Sequence, residues 1–325
     1  MSDAGRDTAA GIARDLTRWL AQNDDTGLDF YLDEGAPPAL PLPPTVRAAT
    51  PIAPGAASGS TPPAPGAAPP APSAGPPAAQ PPAPSSGPPA AQPAADGDDF
   101  AQTCDVFVAE TLRQIERQHK IRPLIPRGEP LLAQTGGDRA AALDLLRAEV
   151  VPCTSCGLAQ TRTHTVFGAG APDAGLVFIG EAPGRDEDLQ GEPFVGRSGQ
   201  LLTRILAAID FARDDVFICN ILKCRPPNNR DPQPDEVAVC EPHLKRQLAI
   251  IQPRLICCLG RVAAQTLLGT KASLKALRET VHFYEGIPVL ATFHPAALLR
   301  NPHWKRDTWD DVRKLKALYD ALPGS

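Results

Sequence analysis

The sequence predicts an α/β fold built on a parallel sheet with helices on both faces. Three observations carry that expectation. Four short apolar runs, 176–181, 216–222, 255–260 and 288–293, have strand length and are too continuously apolar for half-exposed strands. Helical stretches at 198–209, 234–251, 261–269 and 273–278 alternate with them, and a last helix at 305–322 closes the chain. Each apolar run also ends in a polar signature: Gly180-Glu181, Asn220 to Lys223, Gly260-Arg261 and His294-Pro295. In a parallel sheet these ends share one edge, which is where open α/β sheets bind their ligands.

The chain has 325 residues, enough for two domains by size, but its composition argues against reading all of it as folded. Within 1–35, Ile12, Leu16, Trp19 and Leu20 fall on one face of a short amphipathic helix. Two readings stay open: a frayed helix, since isolated helices this short are marginal in water, or a peptide that docks on a protein partner. Residues 36–97 follow as a linker of Ala, Pro, Gly, Ser and Gln. Of the 38 prolines in the chain, 21 lie between Pro37 and Pro93, and GPPAAQP occurs at both 75–81 and 87–93. Such a segment has too little apolar surface to offset the entropy of ordering it, so a disordered, polyproline-leaning extension is expected.

Residues 98–147 read as a helical spacer. Phe100, Cys104, Phe107, Val108, Leu112 and Ile115 keep helical period behind a capping Asp98 or Asp99, and a second helix is expected from Asp138 to Ala148. The compact domain is then 148–323. Its first feature is a CxxC, Cys153 and Cys156, and a second cysteine pair, Cys224 and Cys240, comes later. Four thiols can hold a structural zinc or a [4Fe–4S] cluster. The second pair is unlike a zinc-ribbon knuckle, and Pro226, Pro227, Pro232 and Pro234 stiffen the loop between its members. Spacing alone leaves zinc, iron–sulfur and two unrelated buried pairs open. Cys104, Cys219, Cys257 and Cys258 sit inside apolar runs, where cysteine behaves as a small hydrophobe.

The stretch that organises the domain is Gly180–Leu202, GEAPGRDEDLQGEPFVGRSGQLL. It joins a predicted strand to a predicted helix through a long polar loop with glycines, prolines and an acidic cluster, more plausibly a site than a connector. Charge does not point to a broadly basic surface. Residues 1–147 hold 11 Lys/Arg against 17 Asp/Glu, and residues 148–325 hold 21 against 20, so any nucleic-acid surface must be a local patch. No signal peptide and no bilayer-length apolar run is found, so a cytoplasmic protein without membrane contact is expected.

Four ordered blocks, GEAPGRDEDLQGEPFVGRSGQLL, NILKCRPPNNRDPQPDEVAVC, CCLGRVAAQTLLG and TFHPAALLR, resemble the family 4, iron–sulfur uracil-DNA glycosylases. The resemblance covers about 148–323 and not the amino-terminal half. It implies a three-layer α/β/α sandwich with a central four-stranded parallel sheet, acting on a deoxyuridine flipped out of DNA to release uracil and begin base excision repair. It implies a [4Fe–4S] cluster on Cys153, Cys156, Cys224 and Cys240. It makes Phe194 the stacking platform, Asn220 the reader of the uracil edge, Glu181 the group that orients water or supports a cationic sugar, and His294 the donor to the uracil oxygen. Arg300, Lys305 and Arg306 would meet phosphates. The basic insertion with a nucleophilic histidine that some relatives carry is absent, which favours hydrolysis and release; a monomer is expected. The competing classes are a DNA-binding protein that has lost catalysis and an electron carrier; the intact Glu181, Asn220 and His294 favour the enzyme.

Overall fold

A computed structural model describes residues 96–121 and 129–323. The expected amino-terminal helix and nearly all of the expected linker lie outside those residues. The described chain begins with helix α1, Asp96–Ile121, followed by α2, Pro130–Gln134, and α3, Arg139–Val150. Asp138 caps α3 by accepting a hydrogen bond from the Ala141 amide at 3.1 Å, satisfying one of the orphan donors of its first turn.

The sheet is where expectation and structure part. The four long strands are present: β2, Leu176–Gly180; β3, Phe217–Asn220; β4, Leu255–Leu259; and β6, Ile287–Thr292. Strand β2 pairs in parallel with β3 and β4, and β4 pairs in parallel with β6. The sheet is nevertheless six-stranded and mixed, in the order β1-β3-β2-β4-β6-β5, rather than four-stranded and parallel. Strand β1, Ala169–Gly170, lies antiparallel to β3 at one edge, and β5, His282–Tyr284, lies antiparallel to β6 at the other. Both are too short to carry a periodic signal. Gly170 adopts φ 127°, and a Cβ there would fall 1.8 Å from the Val216 carbonyl oxygen, so this edge pairing depends on a glycine.

Between the strands run α4, Arg185–Gln190; α5, Arg197–Ala208; α6, Pro234–Ile251; α7, Arg261–Leu268; and α8, Leu274–Arg278. After β6 come α9, Pro295–Arg300, and α10, Lys305–Ala321. Strand alternation divides the core into two apolar layers. Val177, Ile179, Phe217, Cys219, Ile256, Cys258, Val289 and Ala291 join one layer with residues of α3, α6 and α7. Leu176, Phe178, Ile218, Cys257, Leu259 and Leu290 join the other with residues of α5 and α10. The adjacent Cys257 and Cys258 therefore point to opposite faces, each as a buried core side chain.

Helix α1 belongs to the second layer, contributing Ile115 as a buried residue with Phe107 and Leu112 packed beside it. The Arg313 guanidinium of α10 sits 3.3 Å over the Phe100 ring, and the Lys314 ammonium lies 5.5 Å from the Phe107 centroid. No helix among the described residues is long and apolar enough to cross a membrane.

Candidate active site

The carboxyl ends of β2, β3 and β6 open on a cavity of about 370 Å3. Glu181 follows β2, Asn220 ends β3 and His294 follows β6, and all three line it with Phe194 and Arg300. Lys305 and Arg306 do not line the cavity and lie on the first turn of α10. Arg261, after β4, does not line it either; its guanidinium stands 3.5 Å from Asp231, which does.

Phe194 is held by force of surroundings. Its φ is 53°, a left-handed conformation that an aromatic residue adopts only at a cost of about 1–3 kcal/mol. Arg213 donates to the Pro193 carbonyl at 2.7 Å and to the Phe194 carbonyl at 3.0 Å, bracketing the strained peptide. Two glycines make room for the residue. A Cβ at Gly199 would fall 1.8 Å from the Phe194 carbonyl oxygen, and one at Gly180 would fall 2.6 Å from the Phe194 ring and 2.3 Å from Asn220 Oδ1. Glu187 secures the rest of the loop: its buried carboxylate accepts from the amides of Gly184 at 3.1 Å, Val195 at 3.0 Å and Gly196 at 2.9 Å. The sequence marked Glu187 only as one acid in a cluster. Its partners are main-chain amides, which no sequence pattern reveals.

Asn220 is 1% exposed, and its Oδ1 has no hydrogen-bond partner in the protein. A buried carboxamide oxygen without a partner costs about 1–3 kcal/mol, and Asn220 carries that cost in the lining of the cavity.

His294 is positioned from behind. Phe293 stacks on Trp304 with ring centroids 4.8 Å apart at 9°, and the Arg278 guanidinium lies 4.3 Å from the Phe293 centroid. Arg278 also donates to Asp311 at 2.6 Å, and Thr292 donates to the same carboxylate at 2.6 Å, tying β6, α8 and α10 together under the histidine. The His294 ring itself lies 5.4 Å from the Phe194 ring, tilted by 32°. Its Nδ1 accepts from the Ala296 amide at 3.1 Å as the cap of α9. Burial, helped by the Arg300 charge, pushes the imidazole down to about 4. At neutral pH the ring is therefore neutral, and with Nδ1 an acceptor its proton sits on Nε2. Burial, and secondarily the Asp231 charge, raises the Glu181 carboxyl above the usual range, with Arg261 opposing.

The loop from Pro226 to Asp231 forms another wall that sequence reading had not assigned, contributing Asn229, Arg230 and Asp231. Arg230 is fixed by Glu236 through a 2.9 Å bond to Oε2, and the same carboxylate accepts from the Gln233 amide to start α6.

Cys153, Cys156, Cys224 and Cys240 gather at a second cavity of about 20 Å3, lined also by Arg162, Thr165, Lys223 and His243. None of the four forms a disulfide. The Lys223 amide donates to Cys240 Sγ at 3.2 Å, and Arg162 donates to Cys224 Sγ at 3.2 Å and to the Cys153 carbonyl. Burial pushes the Cys240 thiol up to about 11, with Lys223 opposing. No three His, Cys, Asp or Glu side chains among the described residues are gathered closely enough to hold one metal ion. Cys219 lies in the core and takes no part.

Residues 167–313 match the model of the uracil DNA glycosylase superfamily, a span that contains every residue lining the larger cavity. The chain is 46% identical over 185 residues to a type-4 uracil-DNA glycosylase of Archaeoglobus fulgidus, a match covering 54% of this chain and 93% of the relative. It is 42% identical over 183 residues to the type-4 enzyme of Thermotoga maritima, covering 55% and 95%. It is 41% identical over 186 residues to that of Sulfurisphaera tokodaii, covering 54% and 84%. The chain belongs to the type-4 uracil-DNA glycosylase family.

Proposed function

We propose that this protein is a uracil-DNA glycosylase that hydrolyses the bond between uracil and deoxyribose in DNA, with Phe194, Asn220, His294 and Glu181 as its working residues. The observation that carries the site assignment is Asn220, a buried asparagine whose Oδ1 has no protein partner and which lines the same cavity as Glu181, Phe194 and His294. A base must leave the stack to be reached, and the cavity volume suits a flipped pyrimidine nucleotide. Phe194 offers its ring face as the stacking platform. The Asn220 carboxamide pairs its oxygen with a uracil N–H and its NH2 with a uracil carbonyl. The His294 Nε2–H donates to the uracil oxygen on which charge builds. The Glu181 carboxylate orients water and supports positive charge on the sugar. The glycosidic C–N bond then breaks with its electron pair leaving on uracil, the water oxygen joins the sugar carbon, and the proton that the water sheds is balanced by the one the uracil anion takes up. Arg300 at the cavity mouth, with Lys305 and Arg306 beyond it, meets the DNA phosphates.

The test is release of free uracil from a labelled oligonucleotide carrying one deoxyuridine. Release is expected, with an abasic site left in the strand. An iron-loaded preparation that binds this DNA and releases no base would overturn the reading in favour of a binding module.

The four cysteines fit a [4Fe–4S] cluster. All four line one cavity, a cysteine-only donor set of the kind such clusters use, and N–H groups already aim at two of the sulfurs. The cluster would tie the entry of the domain to the β3–α6 connection and supply no reacting atom. Protein purified without oxygen should be brown, with broad visible absorbance and about four irons per chain. Cys153→Ala and Cys240→Ala should first cost folding, because metal binding and ordering are coupled. A colourless protein with one zinc per chain would sink the assignment. A cytoplasmic setting would keep such thiols reduced, and the protein is proposed to act as a monomer.

A further inference from the structure

Lys223 is 1% exposed and among the largest fully buried side chains of the molecule. Its Nζ donates to the Asn220 carbonyl at 2.8 Å and to Gln247 Oε1 at 2.6 Å. Gln247, itself fully buried on α6, is fixed in turn by donating to the Phe167 carbonyl at 2.9 Å. The main chain of Lys223 is equally committed: its amide donates to Cys240 Sγ, and its carbonyl accepts from the Val166 amide at 2.7 Å. One residue thus bonds to the thiol site through its backbone and, through its ammonium, to the peptide that carries the cavity-facing carboxamide.

A buried ammonium needs good acceptors, and two are supplied here at short distances. Asn220 has reason to need the help. Its carboxamide oxygen packs against Gly180 but finds no protein hydrogen-bond partner, so no hydrogen bond to that oxygen sets its aim. What can set it is the peptide below. Beyond β3 the Ile221 and Leu222 amides donate to the Gly180 and Glu181 carbonyls, which fixes one side of the strand end. The Lys223 ammonium fixes the Asn220 carbonyl itself.

We infer that Lys223 is a positioning residue for uracil recognition: by holding the Asn220 peptide against Gln247 and the cysteine site, it aims the Asn220 carboxamide at the base. The inference rests on the uracil-DNA glycosylase reading. It names a residue that touches neither DNA nor the reacting atoms and sets the pocket's affinity for uracil.

The test compares iron-loaded parent and Lys223→Met, which keeps length and apolar bulk without the ammonium. Visible absorbance and iron content serve as the check that the cysteine site is intact. Affinity for free uracil, measured by calorimetry, should fall at least tenfold. The single-turnover rate on deoxyuridine DNA should fall at least as far, while KM for the DNA stays within about twofold, because phosphate contacts hold the duplex. In an Asn220→Ala background, Lys223→Met should cost little further, since the two residues act through one contact. Parent-like uracil affinity in Lys223→Met with unaltered absorbance overturns the inference, as does a loss confined to KM. If Lys223→Met fails to load iron, Gln247→Met decides the matter. It removes one acceptor of the ammonium away from the thiols and should weaken free-uracil binding in the same direction, and parent-like binding there overturns the inference. Failure of the parent itself to release uracil would refute the enzyme reading instead, so the two failures are distinguishable.

Discussion

Asn220→Asp should lose more than about 1000-fold of the single-turnover rate of uracil release, the scale on which a site built around buried hydrogen bonds rejects a mismatched partner. The amide supplies one acceptor and one donor edge; the ionised acid supplies acceptors only. One carboxylate oxygen could still accept from a uracil N–H, but the other would face a uracil carbonyl oxygen across a buried cavity. At 1% exposure there is little water to soften that repulsion. The nearby Lys223 ammonium donates to the Asn220 carbonyl and Gln247; its charge can ease the cost of the carboxylate but does not supply the donor that the uracil carbonyl has lost. Because a buried charge also destabilises the fold, Asn220→Leu serves as the uncharged control. It should also lose uracil release while keeping the parent's thermal melt. Release by Asn220→Asp at more than about one part in a hundred of the parent rate would show that another group reads the uracil edge.

The parts of the fold that were legible in the sequence are those whose signal is local. Strands β2, β3, β4 and β6 are continuous apolar runs because both sheet faces are covered, and helices α5, α6, α7 and α10 are long enough to show their period. The two edge strands escaped because their pairing is tertiary. Ala169–Gly170 is a strand only because Gly170 lets the chain approach Val216, and His282–Tyr284 is half-buried along its whole length, with no alternation to read. The six-residue helices α4 and α9 are too short for a periodic signal. Glu181, Asn220 and His294 could be placed together because strand ends in a parallel sheet share an edge. Phe194 needed the resemblance of its motif, since its position depends on Arg213, Gly180 and Gly199 acting on its backbone. Glu187 and Lys223 were invisible as functional groups for a common reason: their partners are main-chain atoms and buried amides from elsewhere in the chain. A lysine at the end of an apolar run beside a cysteine was the one hint that Lys223 does more than solvate the surface.

His294→Ala should slow uracil release by about 100- to 1000-fold while leaving binding of uncleaved DNA nearly unchanged, which is the usual cost of removing one preorganised donor to a developing anion. Bond cleavage puts positive character on the sugar and negative charge on uracil, as in other glycosyl transfers. Uracil departs readily only if its oxygens meet donors already in place. In the proposed mechanism His294 would meet that need as a neutral ring: the Ala296 amide occupies Nδ1, which leaves the proton on Nε2. With burial holding the imidazole down to about 4, no histidine titration should appear in the rate between pH 5 and 8. Any acid limb belongs to Glu181, whose raised pKa makes the rate climb with pH through that value and then level off; the limb should vanish in Glu181→Gln. The sign for stability follows from the same shift. Between the ordinary histidine value and about 4 the unfolded chain binds the proton and the folded one does not, so the His294 contribution is present at neutral pH and lost as pH falls through that window. Single-turnover cleavage with enzyme in excess, measured across pH for the parent, His294→Ala and Glu181→Gln, separates these roles. A parent-like rate in His294→Ala, or a limb near pH 6.5 that disappears with the histidine, would require another donor and a charged ring.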